Sequence, residues 1–209
     1  DFSARYKIQE KDRIFHGSSI TFDWSVAEIW SAWANGACLY VVPDAERLAA
    51  TNFVETHKLT IWFSVPSQIR VMEQLRLLKR RRQPSLRLSF FCGEALLISD
   101  VINWAECAQN STIINMYGPT EATVAVTAFE CRLSELKSSA LNNIVSVGKP
   151  FGRQRVVVVD DNLQEVPHGV LGEILILGTQ VSPGYIDEPE LNRASFLFSH
   201  PSYPSTQGY

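Results

Sequence analysis

The residues best suited to chemistry lie at positions 115–121, directly after a short apolar run. They read Asn-Met-Tyr-Gly-Pro-Thr-Glu, so a predicted strand ends in a turn that carries an amide, an aromatic ring, a hydroxyl and a carboxylate. These groups suit a nucleotide, since Tyr117 can stack on a base, Gly118 lets the backbone approach a phosphate, and Thr120 can bond phosphate oxygens. Glu121 can hold Mg²⁺, which takes one or two carboxylates and completes its shell with phosphates. The segment therefore predicts a nucleotide site, against the alternative of an ordinary turn with a Gly-Pro break.

Alternating helix and strand patterns must position this turn. Short apolar runs bounded by turn residues predict strands, and apolar residues at 3.6-residue spacing predict amphipathic helices. The predicted strands are 38–42, 59–64, 86–92 and 112–115, and the predicted helices are 25–36, 52–58, 67–81 and 99–108. Strands separated by helices favour a largely parallel sheet that is buried on both faces. Ligands gather at the carboxyl ends of such strands, where the suspected site residues other than Asp23 lie.

The helices are predicted in more detail. Ser25 and Glu28 have the spacing of a capping box at the start of the first helix. Four apolar residues of that helix fall on one face and are expected to point inward, namely Val26, Ile29, Trp30 and Trp33. In the later helices the expected inward residues are Ile69, Met72, Leu75, Val101, Trp104 and Ala105, with Ser99 as a cap.

After residue 125 the pattern changes to strands and turns. Strands are predicted at 124–131, 155–159 and 173–177, with a surface loop or short helix at 132–143. The sequence therefore predicts an α/β fold in two parts. An α/β subdomain with a parallel sheet would occupy residues 1–124, and a β-rich subdomain, a distorted barrel, would occupy residues 125–209.

The composition is that of an ordinary globular protein, with 209 residues of which 45% are hydrophobic and 20% charged. A net charge of −3 gives no electrostatic case for nucleic acid or an anionic membrane, and no apolar run approaches the length of a membrane span. The cysteines and histidines are widely spaced, which argues against a zinc site or a disulfide framework and favours a reducing cytoplasm. The first residues show neither a signal-peptide pattern nor an initiator Met, so an internal piece of a longer protein is expected.

The 115–121 heptad resembles the core motif of adenylate-forming enzymes, in particular the amino-acid adenylation domains of nonribosomal peptide synthetases and the D-alanine–carrier-protein ligases. Three further blocks match these families in order. Residues 22–25 resemble the substrate-pocket motif, and residues 91–95 resemble the strand-end motif against which adenine lies. Residues 172–178 and 181–185 resemble the motif of the β-rich subdomain. Ordered blocks across nearly the whole chain argue against coincidence.

This resemblance implies ATP-dependent activation of an amino acid as an aminoacyl-adenylate, followed by thioester loading onto a peptidyl carrier protein. ATP, Mg²⁺ and the phosphopantetheine of the carrier would take part, without nucleic acid or a membrane. The implied catalytic residues are Thr120, which contacts phosphate, and Glu121, which holds the metal ion. The implied cofactor-binding residues are Gly93, Glu94, Ala95, Asn115, Tyr117, Gly118 and Thr120. For Glu94, capping of the following turn is an equal alternative.

The resemblance also implies a pocket for the amino acid. Asp23 would pair with the α-ammonium, because a buried carboxylate without a partner is costly, and its alternative role is a helix cap or dipole contact. The implied pocket residues are Trp24, Ala27, Phe63, Phe90, Cys92, Met116, Val124 and Ala125. They are mostly apolar and include no second carboxylate or lysine, which favours a small or apolar amino acid. Core packing is the alternative role for Phe90 and Val124.

Three parts of the resembled families have no counterpart in these 209 residues. They are the phosphate loop rich in Gly, Ser and Thr, the Asp that binds the ribose, and the C-terminal subdomain with its catalytic Lys. The isolated chain is therefore expected to be inactive, whereas its parent would be an AMP-forming ligase. Two alternatives stay open. One is an acyl- or aryl-CoA ligase, against which Asp23 argues, and the other is a non-catalytic nucleotide-binding module, against which the pair Thr120 and Glu121 argues.

Overall fold

A computed structural model describes residues 2–198, 203 and 207–209. The chain forms two compact units, of which unit 1 comprises residues 1–117 and 127–149, and unit 2 comprises residues 118–126 and 150–209. The sequence predicts one boundary after residue 124, whereas the chain passes from one unit to the other at three points. The segment 127–149, which the prediction assigns to the β-rich part, therefore belongs to unit 1.

Unit 1 is built on a seven-stranded sheet with the strand order β2-β1-β3-β4-β5-β6-β9. In chain order its elements are α1 (Phe2–Arg5), β1 (Arg13–His16), α2 (Trp24–Trp33), β2 (Cys38–Val41), α3 (Ala50–His57), β3 (Ile61–Ser64), α4 (Pro66–Gln74), β4 (Leu88–Phe91), α5 (Ile98–Cys107), β5 (Thr112–Tyr117), β6 (Thr127–Cys131), β7 (Ala140–Leu141), β8 (Ile144–Val145) and β9 (Lys149–Pro150), where the chain enters unit 2. Strands β1 to β5 pair in parallel, and β6 adds antiparallel to β5. The predicted α/β class with a largely parallel sheet is confirmed.

The central strands of this sheet are buried on both faces. Every residue of β3 and β4 is buried, as expected for a parallel sheet covered by helices. On one face, Trp62 stacks on Phe15 with ring centroids 4.2 Å apart and lies 4.9 Å from Trp104. The indole nitrogens of Trp62 and Trp104 donate to the hydroxyls of Ser64 and Ser89, each at 2.8 Å. The aromatic core thus keeps these buried polar groups paired.

The buried face of α2 differs from the predicted one. Three of the four residues expected to point inward are exposed, namely Val26, Trp30 and Trp33. The buried face contains Trp24, Glu28 and Ala32, which follow one another at four-residue spacing. Because apolar residues occur on two stripes of this helix, periodicity alone permits either orientation. The edge-on contact between Trp24 and Phe63, with centroids 5.3 Å apart, belongs to the orientation that the tertiary structure selects.

The predicted capping box of α2 is also wrong. Ser25 lies within the helix and is fully buried. The Glu28 carboxylate accepts hydrogen bonds from Ser18 Oγ at 2.6 Å and from the His16 imidazole instead of from the helix backbone. Burial raises the pKa of the Glu28 carboxyl, although these hydrogen bonds act in the opposite direction. Glu28 thus ties α2 to the carboxyl end of β1.

Helix α4 is shorter than predicted. It ends at Gln74 rather than near residue 81, because the chain turns at Arg76, which has a left-handed φ of 57°. Ile69 and Met72 are fully buried, as predicted, whereas Leu75 lies beyond the helix and is 52% exposed. The buried apolar face of α4 therefore ends at Met72 and does not extend to Leu75.

The stretch predicted as a loop or short helix at 132–143 contains turns followed by a short hairpin. Strands β7 and β8 pair antiparallel around Asn142 and Asn143, whose φ values of 52° and 65° are typical of a tight hairpin turn. The hairpin packs along the turn after β4, where Val145 N donates to Leu96 O at 2.9 Å and Ile98 N donates to Asn143 O at 3.0 Å. It therefore supports the segment that the sequence predicts to line the adenine slot.

Unit 2 contains β10 (Arg155–Val159), β11 (Glu173–Leu177) and α6 (Pro189–Ser195). Both segments are strands, as predicted, and they pair antiparallel over their whole length. Its buried cluster contains Val159, Leu175, Leu177 and Tyr203. Single bridges from Gly208 to Leu177 and Leu197 extend the β-structure at one edge.

Candidate functional site

The carboxyl end of β5 places Asn115 in unit 1 with only 2% of its surface exposed. Its side-chain nitrogen donates to the backbone oxygens of Val145 and Ser146, at 3.3 and 3.0 Å. Because both N–H groups are directed at these carbonyls, Asn115 can meet a ligand only through its acceptor oxygen. Tyr117, two residues later, ends the strand and is half-buried. The hairpin contact that orients Asn115 had no signal in the local sequence.

The turn after β4 carries the three residues that are predicted to line the adenine slot. Gly93, Glu94 and Ala95 are exposed, and Gly93 has a φ of +87°, a conformation that favours glycine. The Glu94 carboxylate accepts hydrogen bonds from the backbone nitrogen and the hydroxyl of Ser67, both at 2.8 Å. Glu94 therefore caps the preceding helix α4 instead of the following turn. Its backbone, and not its carboxylate, is left for a nucleotide.

Arg70 joins this turn to α5, a role that sequence reasoning missed. Its guanidinium donates to Glu94 Oε2 at 3.1 Å and to Asp100 Oδ2 at 2.6 Å. Asp100 is buried and also accepts a bond from Leu97 N at 3.2 Å, so it caps α5 where Ser99 was predicted. The available signal was a basic residue on the first turns of α4, which is too common a feature to single out. Two carboxylates and one guanidinium thus fix the start of α5 and the exposed turn before it.

Asp23 lies half-buried at the start of α2, and its side chain makes no cap hydrogen bond. Burial raises the pKa of the Cys92 thiol to about 12, and the nearby Asp23 charge acts in the same direction. The thiol is therefore neutral at pH 7 and acts as a small apolar group. Ala27, one turn along α2, is half-buried. Asp23 and Cys92, two of the predicted pocket residues, thus lie within electrostatic range of each other.

Three aromatic residues predicted for the pocket form one buried cluster in unit 1. Phe63 and Phe90 stack across adjacent strands with centroids 4.9 Å apart, and Trp24 contacts Phe63 edge-on. Cys92 and Met116 lie on the same face of the sheet as these phenylalanines, because strand residues alternate between faces. The buried indole nitrogen of Trp24 has no hydrogen-bond partner among the described residues. The cluster made by these residues is apolar, apart from that one donor.

In unit 2, the loop after β5 is tightly closed. A Cβ on Gly118 would lie 2.5 Å from the Ala125 Cα, so the position requires glycine. Thr123 and Val124 have φ values of 58° and 72°, which are rare for β-branched residues and store strain at the loop. Thr120 is exposed, Val124 is half-buried and Ala125 is buried. The loop therefore presents the Thr120 hydroxyl to solvent or a ligand.

Glu121, the neighbour of Thr120, is held by the segment 182–185 of the same unit. Its backbone oxygen accepts a bond from Ser182 N at 2.6 Å, and its carboxylate accepts the hydroxyl proton of Tyr185. Partial burial by itself raises the pKa of this carboxyl, but the hydrogen bonds that it accepts, led by the one from Tyr185, together outweigh burial, so the pKa lies below its usual value. Glu121 is therefore ionised at neutral pH, as a metal ligand must be.

A metal ion bound at Glu121 would take that carboxylate as a ligand. The described part of the chain holds no group of three or more His, Cys, Asp or Glu side chains that could bind a metal by themselves. An ionised Glu121 suits Mg²⁺, which completes its shell with water and substrate phosphates.

No helix within the described ranges is long and apolar enough to cross a membrane.

Comparison with known proteins supports the same family from several directions. The family model for AMP-binding enzymes matches residues 2–186. The aldehyde reductase lnaA of Aspergillus flavus is 34% identical over 89% of this chain and 18% of its own length. Tyrocidine synthase 2 of Brevibacillus parabrevis is 30% identical over 100% of this chain and 6% of its own length.

Among solved structures, the chain is similar to the Vibrio cholerae adenylation domain AlmE in complex with glycyl-adenosine-5'-phosphate. The TM-score is 0.89 at 34% identity, over 100% of this chain and 39% of that one. This chain therefore spans less than half of each of these relatives. The resemblance based on the ordered motif blocks is confirmed, since the chain is similar to adenylation domains and to enzymes of nonribosomal peptide synthesis. The chain belongs to the AMP-binding enzyme family.

Proposed function

We propose that the full-length protein activates an amino acid with ATP and transfers it to the phosphopantetheine thiol of a carrier protein. In the first step an amino-acid carboxylate oxygen attacks the α-phosphorus, and the bond from that phosphorus to the pyrophosphate oxygen breaks. In the second step the thiol loses its proton, its sulfur attacks the acyl carbon, and AMP leaves. The glycyl-adenylate bound to AlmE and the tyrocidine synthase among the relatives support this proposal.

The observation that carries the amino-acid assignment is the state of Asp23. Asp23 is half-buried within electrostatic range of the neutral Cys92 thiol, and no cation pairs with its carboxylate in the described part of the chain. A substrate α-ammonium would supply the missing counter-ion. The apolar character of the predicted pocket residues, among them the stacked pair Phe63 and Phe90, favours a small or apolar side chain.

The remaining residues are proposed to position ATP. The Asn115 oxygen would accept a hydrogen bond from the adenine amino group, while the exposed backbone at 93–95 lies along the base and Tyr117 stacks on it. The exposed Thr120 hydroxyl would donate to a phosphate oxygen. Glu121 would hold Mg²⁺, which supplies charge neutralisation for the phosphates when bound. Adenylation needs alignment and charge neutralisation more than a side-chain base, which suits the polar groups proposed here.

ATP–pyrophosphate exchange on the full-length protein tests the proposal, with a panel of L- and D-amino acids of graded size beside fatty and aryl acids. We expect exchange with amino acids alone, highest for small or apolar side chains. Exchange restricted to fatty or aryl acids would favour an acyl- or aryl-CoA ligase. Nucleotide binding without exchange for any acid would favour a binding module.

The second step needs a separate measurement. The amino acid that gives the highest exchange is incubated with ATP, the full-length protein and a phosphopantetheinylated carrier protein, and the mass of the carrier is recorded. We expect an increase equal to one aminoacyl group, which hydroxylamine removes because the bond is a thioester. A carrier with only a serine in place of the phosphopantetheine arm is the matched control and should gain no mass.

A further inference from the structure

Tyr185 contacts the predicted metal ligand Glu121 and is held in place by several other residues. Its hydroxyl donates to the Glu121 carboxylate across 64 positions of sequence, and both residues belong to unit 2. Its backbone is fixed on both sides by Asn192, whose Oδ1 accepts from Tyr185 N at 2.6 Å and whose Nδ2 donates to Tyr185 O at 2.8 Å. A Cβ on the preceding Gly184 would lie 2.8 Å from the Asn192 Oδ1, so glycine is required for this close approach. The phenol is therefore delivered to Glu121 by a rigid turn.

The ring of Tyr185 is also held from the side. Phe196 packs edge-on against it, with centroids 5.2 Å apart and an angle of 74° between the rings. The hydroxyl of Tyr209 lies 3.4 Å from the Tyr185 hydroxyl. The side chain therefore has its position set by contacts other than its bond to Glu121, so that bond orients the carboxylate rather than the phenol.

The direction of the hydrogen bond agrees with this assignment. The Tyr185 hydroxyl is the donor and the Glu121 carboxylate is the acceptor. A phenol donates one hydrogen bond, whereas an ionised carboxylate accepts at both oxygens. The Glu121 carboxylate thus keeps lone pairs for a metal ion while the hydrogen bond from Tyr185 fixes the orientation of the carboxylate group.

We propose that Tyr185 is a positioning residue that orients Glu121 for Mg²⁺, an inference that rests on the proposed role of Glu121 as the metal ligand. Carboxylate ligands are commonly held by such outer hydrogen bonds, and their loss typically lowers metal affinity or activity about 10–100-fold. Without the phenol proton, the Glu121 side chain would sample other rotamers, and metal binding would have to order it again. The sequence block 181–185 would then have a chemical reason for ending in Gly-Tyr.

Metal affinity measured without turnover tests the inference. Mn²⁺ replaces Mg²⁺ as the probe, and its binding to the full-length protein with a non-hydrolysable ATP analogue is followed by electron paramagnetic resonance. Tyr185→Phe removes only the hydroxyl and should weaken Mn²⁺ binding about tenfold or more. Tyr40→Phe removes a half-buried hydroxyl on β2 of unit 1 and should leave binding unchanged. Thermal unfolding of both variants without metal should match that of the wild-type protein, because neither change creates a large cavity.

Glu121→Gln, measured in the same experiment, separates the positioning role of Tyr185 from the metal-binding role of Glu121. We expect it to abolish tight Mn²⁺ binding. If it does so while Tyr185→Phe binds Mn²⁺ as tightly as wild type, the positioning role is wrong and the proposed function stands. Tighter binding in Tyr185→Phe would show that the phenol competes with the metal, which also overturns the inference. If Glu121→Gln binds Mn²⁺ normally, the metal role of Glu121 fails and the inference fails with it.

Discussion

Arg87 and Asp12 form a two-point ion pair at the amino end of the parallel sheet. Arg87 Nε lies 2.8 Å from Asp12 Oδ1, and Arg87 Nη2 lies 2.6 Å from Asp12 Oδ2. The guanidinium also donates to the backbone oxygens of Tyr6 and Lys7, and the carboxylate accepts from the Thr60 hydroxyl. One buried carboxylate therefore joins the segment after α1, the start of β3 and the start of β4. The pair lies at the end of the sheet opposite to the candidate ligand residues, so its role is structural.

We predict that Asp12→Ala lowers the free energy of unfolding by about 3 kcal/mol. This value lies at the lower end of the range that is typical when one partner of a buried ion pair is removed. The carboxylate is 1% exposed but the guanidinium is 34% exposed, so water partly compensates the stranded Arg87. Urea unfolding at pH 7 measures the change. Glu135→Ala breaks the exposed pair with Arg132 and should cost less than about 0.5 kcal/mol. Equal costs for the two variants would contradict the assignment.

The same carboxylate gives a prediction for pH. Burial by itself raises the pKa of Asp12, but the hydrogen bonds led by Arg87 outweigh burial and the pKa lies below its usual value. A lowered folded-state pKa stabilises the protein above the unfolded-state pKa of about 3.9, and this contribution is lost as the pH falls through the folded-state value. Unfolding measured between pH 7 and pH 2 should therefore show a steeper acid loss in wild type than in Asp12→Asn. Parallel curves would rule out Asp12 as a source of that slope.

The exposed tryptophans of α2 offer a test of its orientation. Trp30→Ala should change the free energy of unfolding by no more than about 1 kcal/mol, because its side chain is 60% exposed and leaves no cavity. Trp104→Ala should cost about 3–5 kcal/mol, since it empties a fully buried site and leaves the Ser89 hydroxyl without its indole donor. Chemical denaturation gives both values. A large loss of stability in Trp30→Ala would instead show that α2 buries the face that its periodicity predicts.

Selectivity tests the proposed role of Asp23. In the full-length protein, Asp23→Ala should weaken amino-acid activation by about 2–3 kcal/mol in kcat/KM, because the substrate ammonium loses its charged partner. A des-amino analogue should be affected much less. The ratio of the two substrates in pyrophosphate exchange reports the pairing, since a helix-capping role would lower stability by about 1 kcal/mol and affect both alike. Equal losses of activity for the amino acid and its des-amino analogue would therefore show that Asp23 stabilises the helix and does not bind the ammonium.

Much of the fold could be predicted from local patterns, and the same patterns pointed to the candidate site residues. Short apolar runs between helical segments are sufficient to indicate a parallel sheet, because only buried strands tolerate apolar residues on both faces. The motif at 115–121 and its position after a strand indicated the nucleotide chemistry, and the order of the motif blocks indicated the family. These features depend on residue type and spacing, which the chain carries without being folded.

Contacts between distant residues were decided only by the tertiary structure. The buried face of α2 depends on which stripe meets Phe63, and the partner of Glu94 is Ser67, 27 positions earlier. Tyr185 reaches Glu121 from a turn 64 positions later, and the hairpin 140–145 that supports Asn115 begins in a stretch predicted as a loop or short helix. A carboxylate or a tryptophan in the sequence states what it can bond to or bury. Which partner it meets follows from the three-dimensional packing of the whole chain, because any of several donors of the same chemistry would satisfy it equally well.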